Sequence, residues 1–87
     1  MIERMRQEVY NYVKAHLDVT DNTKFTLDDV YVVWQAKALQ NWKALISTTL
    51  PDGMYYECTY NGDKNEMYLD AYKKFENKCI KFEEEED

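Results

Sequence analysis

Apolar residues at the start of the chain recur every three or four positions, the spacing of one face of an α-helix. This stripe consists of Ile2, Met5, Val9, Val13 and Leu17, with charged and amide side chains on the remaining positions. The pattern predicts an amphipathic helix over residues 2–17 whose apolar face packs on another element. The polar run that follows, residues 18–24, is typical of a loop.

The middle of the chain changes to an alternation of period two, which predicts two β-strands at residues 42–50 and 54–60. Pro51, Asp52 and Gly53 lie between them and favour a tight turn. We expect one face of this hairpin to meet the helices and the other to be solvated or to contact a partner. The inner face comprises Trp42, Ala44, Ile46, Thr48, Met54, Tyr56, Cys58 and Tyr60. The outer face comprises Lys43, Leu45, Ser47, Thr49, Tyr55, Glu57 and Thr59.

A second helix is predicted over residues 27–40. Thr26 and Asp29 have the spacing of a capping box, and Phe25 and Val30 have that of a hydrophobic staple. The run from Tyr31 to Trp34 has strand propensity, but the cap before it and the helix-forming residues after it favour helix.

A third helix is predicted over residues 64–82. Tyr68, Tyr72, Phe75, Cys79 and Phe82 follow one another at spacings of four, three, four and three. Asn61 and Gly62 are also a strong turn signal that could introduce a third strand at residues 64–69. The longer helical periodicity outweighs this signal, although the strand stays open as an alternative.

These elements predict a small α+β domain of order α-α-β-β-α, with an antiparallel hairpin packed against helices. Residues 1–82 form one domain, and residues 83–87 form a disordered acidic tail. Because a two-stranded sheet leaves both edges unpaired, we also expect a homodimer.

Charge is concentrated at the end of the sequence. The net charge is −6. Without the five acids at 83–87, the chain has twelve acidic and eleven basic residues. A nearly neutral body lacks the basic surface of a nucleic-acid-binding domain. The beginning of the chain mixes charges into its first helix, and no run of 18 apolar residues follows, so we expect neither a signal peptide nor a membrane span.

Residues capable of catalysis or metal binding are present but not grouped. His16 is the only histidine, and Cys58 and Cys79 are the only cysteines. We interpret His16 as a helix-end residue and both cysteines as buried, reduced thiols. Asp28 and Asp29 fit the first turn of a helix better than an acid–base pair. We therefore expect no enzyme activity, no metal and no cofactor.

Three segments resemble a family of small, uncharacterised proteins from phages and prophages of Gram-positive, low-GC bacteria. They are LQNWKALIST (39–48), PDGMYYE (51–57) and TYNGDK (59–64). The resemblance covers about three-fifths of the chain. It implies a phage product acting in the cytoplasm of the bacterial host, and it carries no site residues because the family has no assigned activity.

Two functions follow as hypotheses. The first is a non-catalytic phage accessory protein that binds and modulates a host macromolecule, for example as an inhibitor of a defence enzyme such as a CRISPR nuclease. The alternative is a self-associating structural or assembly factor of the phage programme. For either, the expected contact residues are Lys43, Leu45, Tyr55, Glu57 and Thr59.

Overall fold

The computed structural model describes residues 1–17 and 24–83. They form one helix, α1 (Ile2–His16), a 3₁₀ turn (Leu27–Asp29), and four strands. The strands are β1 (Val30–Ala38), β2 (Asn41–Thr48), β3 (Met54–Asn61) and β4 (Glu66–Lys73). They pair in the order β1-β2-β3-β4, so every neighbouring pair is an antiparallel hairpin.

The predicted α+β class and the first helix are confirmed. Met5, Val9 and Val13 are buried, and Ile2 and Leu17 pack at the margin of the same core. The predicted hairpin is confirmed as β2 and β3. Its predicted inner face contacts the helix, with Ala44, Ile46, Thr48, Tyr56 and Cys58 buried.

The predicted helix over residues 27–40 is wrong. Asp29 accepts a hydrogen bond from the Thr26 amide at 2.8 Å, as the capping pattern suggests, but this contact closes only a single 3₁₀ turn. Strand β1 then begins at Val30. The β-branched and aromatic run after Val30 prefers a pleated surface, and pairing with β2 satisfies its backbone.

The predicted helix over residues 64–82 is also wrong, so the order α-α-β-β-α does not hold. Residues 66–73 form β4, and residues 74–83 have neither helix nor strand structure. The spacing of Tyr68 and Tyr72 suggested a helix, but residues four apart lie on one face of a strand as well as of a helix. The Asn61-Gly62 turn signal was the correct one.

Helix α1 is fixed to the start of β1 by one arginine. The Arg6 guanidinium donates to the carbonyl oxygens of Val30 at 3.0 Å and Leu27 at 2.9 Å. It also pairs with Glu3 at 2.7 Å. These charge-assisted hydrogen bonds join α1 to the 3₁₀ turn and to the first residue of β1. The helix is thereby held on one face of the sheet, and the other face is left open.

Candidate interaction surface

The sheet face opposite α1, which we call the open face, carries three rows of side chains that each cross all four strands. Strand register assigns every member. The rows are Tyr31–Ser47–Tyr55–Tyr72, Trp34–Leu45–Glu57–Asp70 and Ala36–Lys43–Thr59–Tyr68. All five predicted contact residues, Lys43, Leu45, Tyr55, Glu57 and Thr59, therefore lie on this one surface.

Four aromatic side chains on the open face are strongly exposed. They are Tyr31 at 46%, Trp34 at 43%, Tyr68 at 59% and Tyr72 at 53%. Tyr31 and Trp34 lie on β1, and Tyr68 and Tyr72 lie on β4, with Leu45 and Tyr55 on the strands between them. Single exposed apolar residues are normal, but several on one sheet face are typical of a contact surface. Tyrosine and tryptophan are also the residues most enriched where proteins bind one another.

Trp34 reaches this face through a β-bulge. Val32 pairs with Ile46 and Trp34 pairs with Leu45, so β1 advances two residues while β2 advances one. In a regular strand Val32 and Trp34, two positions apart, would both lie on the helix-facing side. The bulge therefore turns the indole to the open face, which is a common role for such irregularities.

The open face carries few charges, and they are mostly acidic. Lys43 pairs with Glu57 at 3.3 Å. Asp70 lies directly opposite Glu57 in the register, so the two carboxylates repel each other unless a cation is near. Lys43 reaches only Glu57, and within the described residues Asp70 makes no ion pair.

The remaining candidate groups do not form a reactive site. Cys58 is buried beneath the helix, and burial raises the pKa of its thiol to about 11. Cys79 is exposed, so the prediction that both cysteines are buried fails for this one. His16 stacks on Tyr12 with ring centroids 4.2 Å apart, at the helix end as predicted. The described residues contain no cluster of three or more potential metal ligands.

Asp29 has a structural role in the described part of the chain. A hydrogen bond from the Thr26 amide lowers the pKa of its carboxyl, although desolvation opposes the shift. Asp28 is exposed beside it. The pair thus shapes the entrance to β1, as the capping pattern indicates.

Sequence reasoning missed half of the open face. The residues it missed are Tyr31, Trp34, Ala36, Tyr68, Asp70 and Tyr72, because both outer strands were predicted as helices. For β4 the sequence did contain a signal. Met67, Leu69 and Ala71 alternate with Tyr68, Asp70 and Tyr72, which is the period of a strand. For Trp34 none existed, since a bulge leaves no periodic trace.

A family model described as a family of unknown function, DUF6275, matches residues 2–82. The chain belongs to the DUF6275 family. The match spans α1, all four strands and most of the segment beyond β4, so the open face is part of the DUF6275 domain. No significant match was found among curated proteins or solved structures. No helix in the described part of the chain is both long and apolar enough to cross a membrane.

Proposed function

We propose that this DUF6275 protein is a non-catalytic binding protein that contacts a folded protein partner through its open face. The observation that carries the proposal is the set of four aromatic side chains, each 43–59% exposed, on one continuous four-stranded surface. Large, stiff aromatic side chains lose little entropy on binding and account for most hot spots of protein interfaces. In the phage setting that the sequence resemblance implies, the partner is a host protein whose activity is modulated by occupancy.

Charge favours protein over nucleic acid as the partner. Open sheets that bind single-stranded RNA also stack bases on aromatic rings, but they surround those rings with basic residues. Here the charged residues on this side of the sheet are Lys43, Glu57, Glu66 and Asp70, with one positive charge against three negative ones. The whole chain carries a net charge of −6, which would repel a phosphate backbone.

The alternative, self-association within a phage assembly programme, is favoured by a different part of the molecule. The segment that follows β4 exposes large apolar side chains. The two proposals do not exclude each other, because self-association uses mainly the edge of β4 and this segment.

The test is capture from a lysate of a Gram-positive host with matched variants. Trp34→Ser together with Tyr31→Ser, both on β1 and away from the β4 edge, should abolish recovery of a stoichiometric partner, or weaken its affinity at least about tenfold with the purified partner. Leu39→Ser is the control, because Leu39 is 85% exposed but lies in the β1–β2 turn. Retention by the double variant, or equal loss with the control, would overturn the proposal.

A further inference from the structure

Residues 74–83, which we call the arm, leave β4 without packing on the described body of the protein. Every residue of the arm is exposed. Phe75 is 100% exposed, Phe82 92% and Ile80 65%. Phenylalanine and isoleucine are among the residues most often buried, and their grouping in a solvated segment calls for a binding partner.

The arm continues the direction of β4 beyond the end of the sheet. The Lys74 amide donates to the Gly53 carbonyl oxygen at 2.8 Å, one residue past the last β3–β4 pair. Beyond this bond the chain passes the β2–β3 turn and has no neighbouring strand among the described residues. The radius of gyration is 16.5 Å, whereas a compact chain of this length has about 12 Å.

Strand β4 is also an unprotected edge. It is the last strand in the sheet order, and no described strand lies on its outer side. Because the Lys74 amide points toward β3, alternation turns the backbone groups of 67, 69, 71 and 73 outward. The strand has no proline and no bulge of the kind that usually blocks edge pairing.

We propose that two copies of this chain exchange arms, each arm adding as an antiparallel strand to the free β4 edge of the other copy. The arm and β4 then form one long strand that pairs with its own copy across a two-fold axis. Such an arrangement is closed and self-complementary, as most homodimers are. It gives hydrogen-bond partners to the free backbone groups of the β4 edge, and it removes apolar side chains of the arm from water.

Charge selects the register. With the axis at Tyr72, Lys74 lies opposite the partner's Asp70, and Lys78 lies opposite the partner's Glu66. Moving the axis by one residue to Ala71 or Lys73 instead places Glu76 opposite an acid of the partner, Glu66 or Asp70. Opposite charges in cross-strand pairs stabilise a sheet and like charges destabilise it. The Tyr72 register also gives Asp70 a cation, which the described residues of a single copy do not supply.

The same register places the most exposed side chain of the arm over a groove that has apolar residues along its floor and charged residues at its rim. Phe75 comes opposite the partner's Leu69, on the helix-facing side of the sheet. Leu69 lines a groove of about 280 Å³ between α1 and β4. The other lining residues are Met67 and Tyr60 from the sheet, Asn65 from the β3–β4 turn, and Met1, Arg4 and Glu8 from the start of the chain. Since α1 packs mainly on β1 and β2, this groove is open to an incoming ring.

The area available suits a dimer. Burying Phe75 removes roughly 150–250 Å² from water, and the walls of the groove that it covers add to this area. A stable interface buries about 800 Å² on each partner. The backbone of the added strand and the aliphatic parts of the arm lysines make up the difference. The proposal shares Asp70 and Tyr72 of β4 with the open face, but it does not use the aromatic residues of β1.

The first test is the mass of the full chain in solution. Sedimentation equilibrium at tens of micromolar should give twice the monomer mass of 10.5 kDa. Phe75→Ser should weaken dimerisation at least tenfold, whereas Leu39→Ser should not. Asp70→Lys should also weaken it, and combining it with Lys74→Asp should restore it. A wild-type monomer, or a dimer indifferent to Phe75, would overturn the proposal.

The second test fixes the register. In a Cys79→Ser background, Tyr72→Cys puts two thiols on the axis at a non-hydrogen-bonded pair, where Cα atoms lie about 4.5 Å apart and a disulfide can form. Tyr68→Cys is the matched control on the same strand and face, where the two thiols would be far apart. Mild oxidation should link only the Tyr72→Cys variant. Equal linkage of both variants, or of neither, would contradict arm exchange in this register.

Discussion

Ile46 and Leu45 are neighbours in β2 that face opposite sides of the sheet, and alanine at each position tests which side is the core. Ile46 is fully buried beneath α1, whereas Leu45 is half-buried on the open face. Both substitutions delete three carbon atoms. The two variants therefore differ in burial and hardly at all in chemistry.

The expected cost follows from that burial. Three buried carbons of Ile46 account for about 2.4 kcal/mol of lost transfer free energy, and the cavity raises the total to about 3–4 kcal/mol. Leu45→Ala should cost about 1.5–2 kcal/mol, because part of its surface is already in water and its removal leaves no closed cavity. For a domain of this size these values correspond to losses of about 15–25 °C and about 6–14 °C in melting temperature.

The assay is urea and thermal unfolding followed by circular dichroism. The urea dependence of the unfolding free energy should be the same in both variants, which would show that the substitutions change stability alone. A larger cost for Leu45→Ala than for Ile46→Ala would refute the assignment. A slip of one residue in register exchanges the faces, and that result would reveal it.

Two further predictions concern the turn and the core. Leu39 has a φ of 57° and is 85% exposed, so Leu39→Gly should raise the unfolding free energy by about 1 kcal/mol in urea titrations by relieving strain. A loss of stability would mean that glycine's entropy in the unfolded chain outweighs the strain. The Cys58 thiol ionises near pH 9 when unfolded but has a pKa of about 11 when folded, so stability should fall as pH rises between these values. Cys58→Ala should flatten this fall in unfolding measured under reducing conditions, and an unchanged slope would contradict it.

The parts of the fold that local sequence specifies were predicted correctly. The α1 stripe and the β2–β3 hairpin each carry their own periodicity, and the Pro51-Asp52-Gly53 turn fixes where one strand ends and the next begins. Because the register of the hairpin follows from its turn, the five predicted contact residues could be placed on one face without knowledge of the outer strands.

The outer strands could not be predicted in the same way. β1 begins directly after a helix-type cap, and β4 carries tyrosines at a spacing that fits both structures. In each case the hydrogen bonds offered by a neighbouring strand decide the outcome, and this is tertiary information. The candidate surface was consequently only half predicted, and Trp34, one of its principal aromatic residues, depended on a bulge.

In the proposed dimer, the open faces of the two copies would form one surface. The two-fold axis of an antiparallel strand pair is perpendicular to the sheet, so arm exchange would place the open faces of both copies on the same side. Tyr72 of each copy would then meet at the junction, and the aromatic rows would continue from one copy into the next. A partner that contacts the open face near β4 would therefore touch both copies, and its affinity would depend on dimerisation through Phe75 as well as on Trp34. Arm exchange and partner binding are in this sense linked by the continuity of a single sheet.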